Sequence, residues 1–70
     1  MDSGFPERLR QLRERRRMSR KALGECCGLS KCAISRYERG ERVPDIRTAE
    51  ALADFFGITL DELCGREKNF

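Results

Sequence analysis

Five side chains within one short stretch carry the chemistry of this sequence. From Ser30 to Gly40 the chain reads SKCAISRYERG. At about 100° per residue, the angular step of a helix, Lys31, Cys32, Ser35, Arg36 and Arg39 fall on one side. Ala33, Ile34, Tyr37 and Glu38 fall on the other. The second set is largely apolar and fits a core. The first is short or cationic and can enter a groove lined with phosphate. That is the chemistry of binding, not of bond making. The sequence has no histidine, no Gly-rich phosphate loop and no nucleophile elbow. A thiol without a histidine base is a poor nucleophile, so an enzyme is not expected.

The elements around this face follow from local signals. A short helix over Arg20–Cys27 precedes it, and Gly28 lies just past that helix, where a left-handed backbone costs a glycine little. Ser30 then sits where its hydroxyl oxygen caps the amides of the helix over residues 31–39. Two short helices joined by such a turn make a helix-turn-helix pattern over residues 19–39. Upstream, Phe5, Leu9 and Leu12 form the apolar stripe of a first helix that opens near Pro6. Downstream, Asp45 caps a fourth helix reaching about Phe56, with Ile46, Ala49, Leu52, Ala53 and Phe56 on one face and Gly57 after it. A short fifth helix over residues 60–64 closes the set. Met18, Leu29 and Ile58 each precede a cap and lie five residues before Leu23, Ile34 and Leu63, the spacing of a hydrophobic staple. Thr59 and Glu62 add a capping box. No segment alternates with period two for long enough to suggest a sheet. The expected fold is an all-α bundle of five short helices forming one domain over residues 1–70. Its core holds Phe5, Leu9, Leu12, Leu23, Cys27, Ile34, Tyr37, Leu52, Phe56 and Leu63.

The stretch resembles the helix-turn-helix of the lambda-repressor-like, or Xre-type, regulators. Their pattern runs Leu-Ser-Gln-x-x-Leu-Ala, then Gly-Val-Ser, then Ile-Ser-x-x-Glu-x-Gly and a proline. The matching residues here are Met18, Ser19, Leu23, Gly28, Leu29, Ser30, Ile34, Ser35, Glu38, Gly40 and Pro44. The similarity extends from about Phe5 to Gly65. Arg20 replaces a glutamine that in relatives binds phosphate, and Gly24 replaces the usual alanine where the two helices meet. The resemblance implies a lambda-repressor-like domain, an ion pair between Arg13 and Glu38, a loop after the motif that runs along phosphates, and a homodimer on DNA.

On this reading the protein binds double-stranded DNA sequence-specifically and regulates transcription, as a repressor. The helix over residues 31–39 lies in the major groove with its N-terminal residues toward base edges. Lys31 and Arg36 are the base readers, because cationic side chains suit guanine O6 and N7. Cys32 and Ser35 contact a thymine methyl or a bridging water. Ser19, Arg20, Arg39 and Arg42 are phosphate anchors, which position without specifying, and Ser30 caps the reading helix at the same surface. The competing reading is a protein-interaction module that keeps the fold without binding DNA. The cationic Lys31, Arg36 and Arg39 argue for DNA.

Charge and cysteines agree with this. Net charge is only +3. Residues 8–42, however, carry twelve Lys/Arg against four acids, a net of +8, while residues 43–70 carry three bases against six acids, a net of −3. Basic charge gathered around one motif points to a polyanion. Four cysteines, at 26, 27, 32 and 64, would suggest disulfides in a secreted chain. The N-terminus MDSGFPERLR is no signal peptide and no apolar run is long enough to span a membrane, so a cytoplasmic protein with reduced thiols is expected. Zinc spacing is absent. Neither a cofactor nor a small-molecule site is evident. The chain is either complete or the DNA-binding part of something longer.

Overall fold

The computed structural model describes residues 4–65. They form five helices: α1 (Gly4–Arg15), α2 (Arg20–Cys27), α3 (Lys31–Glu38), α4 (Ile46–Phe56) and α5 (Leu60–Leu63). No strand occurs among the described residues. The fold is the all-α bundle of five short helices expected from the sequence. The caps expected from the sequence are made. Ser19 Oγ accepts from the Ala22 amide and Ser30 Oγ from the Ala33 amide, both at 3.0 Å. Asp45 accepts from the Thr48 amide at 2.8 Å, and that bond holds its carboxyl below the usual carboxylate range. The contribution of this cap is therefore complete above the ordinary carboxylate pKa and fades only as pH falls through the lowered value. Thr59 and Glu62 form the reciprocal capping box. Two helices end one residue sooner than the periodicity indicates, because Arg39 and Cys64 serve as C-caps of α3 and α5.

The core gathers residues from all five helices: Leu9, Leu12, Leu23, Ala33, Ile34, Tyr37, Ala49, Leu52, Ala53, Phe56 and Leu63. The three staple residues Met18, Leu29 and Ile58 pack against it. Phe5 and Cys27, expected inside, are only half-buried at its edge. Phe5 meets Tyr37 edge-on, with ring centroids 6.0 Å apart. Burial, with Cys26 alongside, pushes the Cys27 thiol pKa up, so it is a packing group and a poor thiolate.

Two backbone features set the geometry of the motif. Gly24 is buried where α2 meets the turn, and a Cβ there would lie 2.4 Å from the Leu29 carbonyl oxygen. That carbonyl cannot swing aside as a flexible side chain can. Gly24→Val is accordingly expected to destabilise the fold by about 1–3 kcal/mol. Gly24→Ala carries the same Cβ, so the gain of about 1 kcal/mol that alanine brings at an open helix position should be outweighed by the clash and the variant should be less stable than the parent. Denaturant midpoints check both, and a Gly24→Val midpoint equal to the parent's would contradict the close approach. The second feature is the end of α1. Met18 N–H donates to the Arg13 carbonyl at 3.2 Å and Arg17 N–H to the Glu14 carbonyl at 2.9 Å, a Schellman stop. Its left-handed residue is Arg17, at φ 56, where a side chain costs about 1–2 kcal/mol.

Candidate nucleic-acid interface

The outward face of α3 exists because its inward face is fully used. Ala33, Ile34 and Tyr37 are buried, which leaves Lys31, Cys32 and Arg36 exposed and Ser35 half-exposed along the opposite side. The N-terminus of α3 is presented by the Ser30 cap and that of α2 by the Ser19 cap, both exposed. Lys31 and Arg36 make no hydrogen bond or ion pair among the described residues. Such a face offers two uncommitted cations separated by short side chains.

A buried ion pair fixes where this helix points. Arg13 on α1 donates through Nε to Glu38 Oε2 at 2.6 Å and through Nη2 to Oε1 at 3.1 Å. Its remaining arm reaches the Met18 carbonyl at 2.8 Å. The two side chains are only 10% and 2% exposed. One guanidinium thus ties α1, the link into α2 and the end of α3 together. The geometry matches the pairing that the resemblance implied.

The remaining basic residues divide by what they touch. Arg20, expected as a phosphate anchor, turns its Nε onto Glu38 Oε1 at 3.1 Å. It stays 45% exposed at the side chain, so it braces the ion pair with one edge and offers the other to solvent. Arg39, also expected to anchor, forks onto Glu41 at 2.9 and 3.1 Å. That contact, with Arg36 nearby, holds the Glu41 carboxyl below the usual range. An exposed pair of this kind is weak and can yield to a phosphate. Arg42 is exposed in the loop between α3 and α4, where its charge helps to lower the Asp45 carboxyl but no hydrogen bond or ion pair holds its side chain. Arg16 lies over the Phe55 and Phe56 rings at 5.0 and 5.3 Å and donates to the Phe56 carbonyl, so it serves the fold. Arg10 pairs with Glu7, and Arg8 donates to the Glu62 carbonyl at the end of α5. The cations left over at the motif are Arg17, Lys21, Lys31, Arg36 and Arg42.

A family model described as a helix-turn-helix domain matches residues 5–63. The chain belongs to the helix-turn-helix family of transcriptional regulators. The family is one of regulators and not of enzymes. This domain is 39% identical over 62 residues to the HTH-type transcriptional regulator AnsR of Bacillus subtilis, a match that covers 89% of this chain and 53% of AnsR. The chain thus spans about half the length of AnsR, and 31% of another curated relative, the activator BcrR of Enterococcus faecalis. Among solved structures, the P22 c2 repressor in complex with a synthetic operator is 32% identical with a TM-score of 0.84, covering 89% of this chain and 94% of that one.

The helix-turn-helix domain also carries features that the sequence did not signal. Val43 is 86% and Ile46 62% exposed, the two large exposed hydrophobics of the described residues. They border a groove of about 440 Å³ whose other walls include Phe5, Pro6, Leu60 and Cys64. Spacing places Ile46 on the buried face of α4, but at the first position of the helix it projects past the core. Phe55, off the apolar stripe of α4, lies beneath Arg16 and against Phe56 at 5.1 Å, so it adds little open apolar surface. Arg17, just past α1, is set apart from the other arginines by its left-handed backbone. All four cysteines are free thiols. Among the described residues, no helix is long and apolar enough to cross a membrane.

Proposed function

We propose that this domain binds double-stranded DNA sequence-specifically, in the cytoplasm, as a transcriptional repressor, with α3 in the major groove. The observation that carries the reading is the uncommitted outward face of α3, backed by a buried ion pair that fixes its direction. Lys31 and Arg36 read base edges. Cys32 and Ser35, both short, allow the helix to approach closely. Ser19 and Arg20 at the start of α2, Ser30 at the start of α3, and Arg39 and Arg42 beyond it hold the phosphates. The P22 c2 repressor, solved with an operator, supports the same use of the fold. Titrating the domain with random-sequence duplex across a salt series tests it. The logarithm of the affinity should fall linearly with that of salt, by about 0.9 per phosphate neutralised. Absence of salt-dependent binding would favour a protein-interaction role instead.

The proposal includes a homodimer on two half-sites. Val43, Ile46 and the adjoining groove supply its surface, since an exposed apolar patch can pack on its own copy, as a two-fold interface requires. Leu60 and Cys64, half-buried, contribute to the groove wall. Phe70, whose apolar side chain could add to such a surface, lies outside the described residues. Val43→Glu should leave the fold intact, because the side chain is solvent-exposed, and should abolish self-association and cooperative occupation of paired half-sites. Sedimentation of the parent as a monomer at high concentration, with and without DNA, would contradict the dimer.

A further inference from the structure

Among the described residues, Arg17 is the one non-glycine with a positive φ. The equivalent left-handed positions after α2 and α4 are Gly28 and Gly57, the residue this conformation favours. Nothing in the fold accounts for an arginine in its place. The side chain is exposed and makes no hydrogen bond, ion pair or ring contact, unlike its neighbour Arg16, which is committed to Phe55 and Phe56. Glycine would serve the turn better. A strained backbone kept where packing does not demand it points to use of the side chain.

Its position says what that use is. Arg17 lies two residues before Ser19, the cap of α2. The cation expected to anchor phosphate at this end of α2 is Arg20, and Arg20 spends its Nε on Glu38. Lys21, exposed and without a partner, follows in the first turn of α2. The mouth of α2 therefore has one cation drawn partly inward and two that are uncommitted, one of them held in a conformation that disfavours it.

We propose that Arg17 is a phosphate contact of the DNA interface, compensating for the part of Arg20 that is committed to Glu38. The inference rests on the DNA-binding role proposed above. Three proteins test it: the parent, Arg17→Gly and Arg17→Lys, each followed by thermal unfolding and by binding to one duplex across a salt series. Arg17→Gly should melt about 4–8 °C higher, because the left-handed strain is relieved. It should also bind that duplex more weakly, with a salt slope shallower by about one. Arg17→Lys should keep the parent's slope and its lower melting point. Higher stability with an unchanged salt slope in Arg17→Gly would overturn the contact while leaving DNA binding itself in place. A parent that shows no salt-dependent binding would overturn both.

Discussion

Glu38→Ala should cost about 3–5 kcal/mol of folding stability, as much as truncating a fully buried core side chain. The removed carboxylate satisfies Arg13 through two hydrogen bonds and Arg20 through one, and it is 2% exposed. Its loss leaves the Arg13 guanidinium, itself 10% exposed, with only the solvent-exposed Glu14 carboxylate at 3.9 Å as a counter-charge. The cost is the stranded charge more than the lost attraction. Replacing both partners by apolar residues of similar size, as in Arg13→Met with Glu38→Leu, should therefore recover much of the loss. A domain of this length has only about 4–10 kcal/mol in total, so Glu38→Ala is expected to be largely unfolded well below the parent's midpoint. Glu38→Gln keeps one acceptor and should fall between. Urea unfolding of the four proteins checks the series, and a Glu38→Ala midpoint near the parent's would refute the account of the pair.

Arg36→Ala and Arg42→Ala should differ in kind. Arg36 stands on the open face of α3, one turn in, beside Ser35. As a base reader its loss should cost about 1–3 kcal/mol on the preferred site and relax selectivity at one base pair per half-site. Arg42 lies exposed in the loop past α3 and is proposed as a phosphate contact. Its removal should weaken all duplexes about equally and reduce the salt slope by about one. Binding of both variants to a preferred and a scrambled duplex across a salt series separates the roles. Equal losses on the two duplexes for Arg36→Ala would mean that the reading residue lies elsewhere on the helix.

What was legible in the sequence is what local rules govern. Ser19, Ser30, Asp45 and Thr59 announce four helix starts because capping is a contact within one turn. Met18, Leu29 and Ile58 repeat one spacing for the same reason. The Arg13–Glu38 pair spans twenty-five residues and came from family resemblance, not from any local signal. What stayed hidden depends on which side chains meet across elements. Arg16 and Arg17 are adjacent and identical in type, yet one lies over two rings and the other has no partner. No periodicity distinguishes them. Arg20 was read from its place at a helix start, and the acid that draws it inward belongs to another helix. Ile46 fits the apolar stripe of α4 by spacing, but the core does not extend far enough to cover the first residue of that helix. Gly24 was read as a close crossing, and the approach is closer than a Cβ allows. The candidate base readers were the most legible part of the site, because a buried Ala33, Ile34 and Tyr37 leave their side chains only one direction to face.

The central claim is that α3 reads a DNA sequence, and selection from a random duplex pool tests it most directly. The parent domain is incubated with the pool at moderate salt, and bound duplexes are recovered, amplified and sequenced over several rounds. The account predicts enrichment of a two-fold symmetric site whose half-sites lie about one helical turn, 10–10.5 base pairs, apart centre to centre. Recovered sequences indistinguishable from the input pool would contradict it.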